Sequence, residues 1–310
     1  MIAHQRLSGI LAGLAAGALW GLVFVAPRMV GGFAGIDLTA GRFVVYGAVS
    51  LLLLALSWRR ARWPTLAQAW GALWLSVLGF TGYYALLVLA IRDAGSAMPA
   101  LIVGTIPVWL MLLGKPRGLR WRALLPGLAL TAAGLVLMSS SVQAPASPAP
   151  AASETIANSG TYWRGIGLAL AAMACWTAFA LLNARWLRRH PRVSAADWAN
   201  WLGVATGLGG LALALTQGTP LPRLVAQPGW PLFALVVLAI GLGSSWLATV
   251  LWNLASQRLP PSLCGQLIVS ETLFALLYSF LWDGRWPGAL ALAAAALFTA
   301  GILASIKAHR

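Results

Sequence analysis

The sequence predicts an all-α polytopic membrane protein: ten transmembrane helices as two inverted five-helix repeats, with both termini cytoplasmic. Four observations carry that reading. Sixty percent of the residues are hydrophobic and only 9% are charged. Apolar stretches of roughly 20 residues, the length that takes a helix across a bilayer core, recur from end to end. Between them the cations alternate in density, crowded in one interval and sparse in the next, as expected of a chain that crosses a membrane repeatedly. The two halves also share faint matches at offsets of about 156 and 167 residues.

The spans are expected at about 8–26, 37–57, 69–91, 95–114, 121–139, 164–185, 195–216, 230–255, 261–281 and 286–306. The first follows a basic start (His4, Arg6) and could pass for a secretory leader. It lacks a good small-residue cleavage site and instead carries Gly9, Gly13, Gly17 and Gly21. Glycine at every fourth position makes a smooth strip for the approach of another helix, so the span is expected to be retained. The second span holds Arg42, and the third holds Tyr83 and Tyr84. In the fourth, Pro99 and Pro107 should break or kink the helix and free carbonyls near its middle. After the fifth comes a Pro- and Ala-rich run, read as a flexible external linker over 144–160 between repeats at 1–143 and 161–310. The sixth span carries Trp176. The seventh carries Gly203 and Gly207, a second close-approach pair, and the eighth carries Trp246, Trp252 and Asn253. Pro260 and Pro261 open the ninth, with Glu271 near its middle and Tyr278 beyond, and the tenth runs to the C-terminus.

Orientation follows from the cations. With the N-terminus cytoplasmic, fifteen Lys and Arg fall on the inner side. Five fall outside (Arg28, Arg92, Arg164, Arg223, Arg285), and Arg42 lies within a span. That is the positive-inside signature. Duplication rests on small matches: Gly9 and Trp20 lie eleven apart, as do Gly165 and Trp176, and Leu130-Thr-Ala-Ala-Gly-Leu135 resembles Leu297-Phe-Thr-Ala-Gly-Ile302. Five is odd, so a second copy enters from the opposite side. Inverted repeats of this kind mark secondary transporters, with the substrate site between the repeats near mid-membrane.

Composition excludes other classes. A net charge of +15 and a pI near 11.6 would fit nucleic-acid binding in a soluble chain. Here the cations sit in short loops beside spans, where lipid headgroups and topology account for them, and no nucleic acid is expected as partner. Cys175 and Cys264 lie within spans and read as small core residues, not a disulfide. There is no G-x-x-x-x-G-K-[ST] phosphate loop, no H-E-x-x-H or Cys/His metal spacing, and no G-x-S-x-G elbow. Enzymatic activity is therefore not expected. The expected partners are a small-molecule substrate and membrane lipid, with the chain acting as a monomer.

Specific residues carry a resemblance. Ala18-Leu-Trp-Gly-Leu-Val-Phe-Val-Ala-Pro-Arg28 and Leu38-Thr-Ala-Gly-Arg-Phe43 resemble the opening of the EamA family, of the drug/metabolite transporter (DMT) superfamily. Ala90-Ile-Arg92, Ser96-Ala-Met-Pro-Ala-Leu101, Ile106-Pro-Val108 and Leu113-Gly-Lys115 resemble its third and fourth helices. Within the family the chain looks most like the aromatic amino acid exporters. The resemblance implies five plus five inverted helices, export across the bacterial inner membrane and no prosthetic group as cofactor. Lys115 stands where the family usually has Glu, so no role is carried over from that acid.

Of six acids, only Glu271 lies deep in a span. A carboxylate there costs roughly 2.5–3.5 kcal/mol on insertion scales and is usually paired or functional. On a helix it shares a face with Cys264, Leu267, Ile268, Phe274, Ala275 and Tyr278. An acid among aromatics suits an ammonium group on an apolar body. The alternative is a structural hydrogen bond to Asn253, Gln266 or a backbone carbonyl. Arg42 is expected to snorkel to the outer interface, to clamp a substrate carboxylate, or to pair with Glu271. Trp20 and Trp176, repeated between the halves, and Tyr83, Tyr84 and Tyr278 are expected to line an aromatic cavity, against a plain packing role, with Asn253 as a polar substrate-binding group on the same path. A tyrosine at position 78 is not applicable to that set, because the residue there is Leu78. The function expected is export of neutral or aromatic amino acids by alternating access. Efflux of nucleobases, cationic drugs or other metabolites is the alternative, with an intramembrane enzyme or a channel further off.

Overall fold

Where a backbone crosses hydrocarbon, no water satisfies its N–H and C=O groups, so an apolar chain must pair them within helices or a closed barrel. A computed structural model describes residues 2–57, 63–95, 97–116, 118–142, 160–284 and 286–309, and within them every regular element is a helix. Trp58, Arg59, Arg60, Arg62, Ser96, Arg117, Glu154, Arg285, Arg310 and nearly all of the expected linker lie outside the described residues.

Ten helices are labelled here in chain order. They are α1 (His4–Met29), α2 (Gly35–Leu56), α3 (Leu66–Ala94), α4 (Met98–Leu113), α5 (Trp121–Val142), α6 (Gly160–Arg189), α7 (Ala195–Gln217), α8 (Trp230–Arg258), α9 (Pro261–Asp283) and α10 (Ala289–Ala308). Among the described residues nine are long and apolar enough to cross a membrane. The exception is α4, where a tenth full span was expected. It is broken at Thr105 into Ala97–Gly104 and Ile106–Leu113. Pro107, in the first turn of the second piece, has no N–H to give the Val103 carbonyl, and at the break Thr105 N and Oγ1 donate 3.1 and 2.6 Å to the Ile102 carbonyl.

The chain divides into two compact units, and each draws on both halves of the sequence. The first comprises residues 1–77, 182–259 and 270–285; the second comprises 78–181, 260–269 and 286–310.

In the first unit, α2 and α7 cross through glycines. A Cβ on Gly47 would fall 2.6 Å from Gly207 Cα, and one on Gly207 would fall 2.6 Å from Gly47 Cα. Gly203 faces Tyr46 and Ser50, while Gly210 faces Phe43. Numbers rise along one helix as they fall along the other, so the pair is antiparallel. Tyr46 Oη donates 2.7 Å to the Ala199 carbonyl, and Ser76 shares a 2.8 Å hydroxyl bond with Thr206 that ties in α3.

In the second unit α5 and α10 do the same. Gly134 faces Phe298, Gly301 faces Thr131, and Gly127 faces Ser305. Gln266 Nε2 adds a 2.8 Å bond to Thr131, and buried His309 joins Ser262 Oγ at 2.8 Å, fastening the start of α9 to the end of α10.

α3 and α8 share an irregularity. Each runs as α-helix for 11 residues and then widens into a π-helical segment, Val77–Thr81 in α3 and Gly241–Leu247 in α8. A π segment adds a residue to the turn and re-aims the side chains beyond it.

Candidate functional site

Glu271 lies in the part of α9 that belongs to the first unit. The glycine strip of α1 seats that helix flush against it. A Cβ on Gly17 would overlap Ser270 Oγ and fall 3.1 Å from Glu271 N. One on Gly21 would fall 2.9 Å from both Ala275 N and Phe274 Cβ. Further along the strip, Gly9 abuts Leu259 and Arg258. Trp20 lies between the Gly17 and Gly21 contacts, so α1 carries it at the level of Glu271 and Phe274. Its ring centroid is 5.5 Å from that of Trp252 on α8, with the planes at 50°.

α8 meets α1 at the same level. From within the π segment, Ser244 Oγ donates 2.5 Å to the Leu19 carbonyl. Gly241, at the start of that segment, leaves room for α2: a Cβ there would fall 3.2 Å from the Arg42 carbonyl oxygen. Gly241 and Ser244 are about one turn apart. Arg42, Trp20 and Glu271 are thus held near one depth by successive contacts of α2 on α8, α8 on α1 and α1 on α9. The guanidinium of Arg42 lies 4.8 Å over the Phe43 ring. Both side chains are half-buried. The amides considered as structural partners of Glu271 are engaged elsewhere, Gln266 with Thr131 and Asn253 with α6 and α7.

The remaining candidates fall in two places. Tyr278 is two turns beyond Glu271 on α9, its ring 6.0 Å from Phe274. Asn253 is fully buried: it accepts 3.0 Å from Asn183 Nδ2 and donates 3.4 Å to the Ala195 carbonyl, while Trp198 Nε1 donates 2.7 Å to Asn183 Oδ1. Trp176, Tyr83 and Tyr84 belong to the second unit. There Trp176 packs edge-on to Phe179 at 6.0 Å, Phe179 meets Phe80 at 5.4 Å, and Gly79 makes room for the Phe179 ring. Tyr83 and Tyr84 are half-buried just past the π segment of α3. Position 78, inside that segment, is corrected to leucine and leaves the site: Leu78 is half-buried and aliphatic, with neither the ring nor the hydroxyl that a tyrosine would bring. The first unit therefore gathers Glu271, Arg42, Trp20, Tyr278 and Asn253. Sequence reasoning did not find the roles of Gly241 and Ser244. The run Gly241-Leu-Gly-Ser-Ser245 was the available signal, since it is unusually small and polar for the middle of a span.

Among the described residues no group of His, Cys, Asp or Glu could hold a metal ion, and neither Cys175 nor Cys264 is in a disulfide.

Comparison with known proteins agrees with this architecture. The profile of the EamA-like transporter family matches residues 163–306. Inner membrane protein YtfF of Escherichia coli (strain K12) is 33% identical over 314 residues, covering 97% of this chain and 96% of that one. Aromatic amino acid exporter YddG of Ancylobacter novellus is 25% identical over 325 residues, covering 99% and 100%. A solved crystal structure superposes with a TM-score of 0.76 at 21% identity, covering 98% of each chain, and shares the fold. With its apolar helices and these relatives, the protein is a multi-pass protein of the inner membrane. Full-length similarity at that identity, the family profile over the second half and an all-helical apolar fold place the chain in the EamA family of the drug/metabolite transporter superfamily.

Proposed function

We propose that this transporter exports small amphipathic metabolites, neutral and aromatic amino acids foremost, by alternating access. The observation that carries the reading is the seating of Glu271 against the Gly17–Gly21 strip of α1, the stretch of helix that also bears Trp20, whose ring meets Trp252. A carboxylate at that depth is expensive unless it serves a partner, and a primary ammonium satisfies it. Aromatic rings at the same level accept the apolar or aromatic body, with stacking preferences that a lipid tail would not exploit. The name of the Ancylobacter relative, an aromatic amino acid exporter, supports the same substrate class.

Alternating access calls for five plus five inverted helices, and contact symmetry supports that arrangement. An offset of 160 residues exchanges the Phe43–Gly210 contact with the Ser50–Gly203 contact and maps Gly47 onto Gly207. An offset of 167 likewise exchanges Gly134–Phe298 with Gly301–Thr131. In both pairs the equivalent helices run antiparallel, as copies inserted with opposite orientation must. The repeats are 1–143 and 161–310, joined by 144–160, and both termini are cytoplasmic. Trp176, Tyr83 and Tyr84 form a second aromatic group to be tested by separate substitution.

Counterflow in proteoliposomes tests the reading, with a panel of labelled amino acids, nucleobases and cationic dyes. Exchange of neutral and aromatic amino acids is the expected result. Exchange of nucleobases or dyes with none of amino acids would overturn the substrate class, and covalent product without flux would overturn transport.

A further inference from the structure

Charged side chains on two different spans stand at one depth in the first unit, and they are of opposite sign. Arg42 is fixed there by its own backbone, whose carbonyl lies against Gly241 of α8. Glu271 is fixed by the flush contact of Gly17 and Gly21 with α9. Between the two, Ser244 binds the Leu19 carbonyl, and the next residue, Trp20, turns its ring toward Trp252. The arrangement therefore has three chemically distinct parts held by three helix contacts: a guanidinium, an aromatic wall and a carboxylate. A ligand with one charge would satisfy one end and leave the other facing an apolar bundle, which is costly. A ligand carrying both charges satisfies both.

We infer that Arg42 and Glu271 are a two-ended clamp for a zwitterion, Arg42 taking the α-carboxylate and Glu271 the α-ammonium, with the side chain of the cargo against Trp20. Arg suits the first role because its planar fork matches a carboxylate with two parallel hydrogen bonds. The inference rests on the reading of the chain as an amino acid exporter and narrows it to free amino acids. Amines, amides and carboxylic acids with the same apolar body are rejected. Discrimination of this kind comes from leaving a built polar group unpaired, which a purely apolar pocket cannot match.

The test is competition in counterflow of labelled phenylalanine by the full-length protein in proteoliposomes. The competitors are phenylalanine, phenylalaninamide (no carboxylate) and 3-phenylpropanoate (no ammonium). For wild type, phenylalanine should compete at a concentration about tenfold or more below either analogue. Arg42→Gln should erase the advantage over the amide and keep that over 3-phenylpropanoate, and Glu271→Gln should do the reverse. If a single variant fails to fold, the double variant Arg42→Gln/Glu271→Gln leaves no lone buried charge and should lose both preferences together. Equal competition by all three compounds in wild type would overturn the clamp while leaving amino acid export standing. Equal weakening toward all three in both single variants would also overturn it, by reducing the pair to a structural one. Wild type that exchanges no amino acid at all would sink the export reading and the clamp with it.

Discussion

Trp20 shows what one residue contributes when three helices converge on it. It is half-buried and tilted toward Trp252, and its position along α1 is set by glycines on either side. Trp20→Ala should therefore weaken counterflow of aromatic amino acids more than of small aliphatic ones, by the ~0.5–1.5 kcal/mol that ring–ring contact adds to simple burial. Equal losses for the two substrate types, at normal expression, would make the ring a packing element. Asn253 acts differently. Its amide is joined to Asn183, which in turn accepts from Trp198, in a site closed to solvent. Asn253→Ala leaves the Asn183 Nδ2 group buried without its partner, so thermal stability in detergent should fall by roughly 1–3 kcal/mol. Affinity for remaining folded transporter should change little by comparison. Glu271 was legible in the sequence because an acid in the middle of an apolar run is conspicuous. Arg42 and Trp20 were expected near it from their residue types, whereas the contacts of Gly241 and Ser244 that set the levels of α1, α2 and α8 were not, because no local periodicity records which level of one helix meets which level of another.

Helices were legible to the extent that hydrophobic length and proline control them. The nine long spans follow from apolar runs of bilayer length, and the break in α4 follows from Pro107. The π segments at Val77–Thr81 and Gly241–Leu247 were not legible. One extra residue per turn changes no composition, and it appears only when the two stretches are seen at the same distance from the starts of α3 and α8. The close approach at Gly203 and Gly207 was legible as small residues four apart, but its partner was not. That partner makes a sharp test of the repeat. Gly47 and Gly207 meet at the α2–α7 crossing, where the proposed repeat puts a local symmetry axis, each facing the other's backbone, which cannot move aside as a side chain end can. Gly47→Ala and Gly207→Ala should each destabilise by roughly 1–3 kcal/mol through overpacking, and by similar amounts. The double variant should cost less than the two single losses added, because the first methyl already forces the helices apart. Unequal single effects with strict additivity in thermal unfolding would argue against a shared axis.

For the whole molecule, the proposed orientation rests on the charge distribution, and the helix ends carry the ion pairs. Asp283 at the end of α9 pairs with Arg28 at the end of α1 at 3.1 Å. Asp93 at the end of α3 holds Arg92 at 3.3 Å and, at the start of α6, Arg164 at 2.8 Å. Asp37 at the start of α2 accepts 2.7 Å bonds from Thr219 N and Oγ1 just past α7. If the proposed ten crossings begin inside, every one of these helix ends would be on the outer side. On that orientation three of the five outer arginines would have acid partners there, and Asp197, bonded to Ser194 at its own helix start, would be the one acid on the inner side. The exposed Arg28–Asp283 pair contributes little energy, and acids themselves do little to orient a chain. The count of cations does. Cysteines placed one at a time at 188–192, in a background lacking Cys175 and Cys264, should resist an impermeant maleimide in intact cells and react after the inner membrane is opened. Cysteines at 145–155 should react in intact cells. Labelling of 188–192 from outside would invert the orientation. It would place the acid-paired helix ends in the cytoplasm and overturn the reading of the fifteen cations as an inner-face signature.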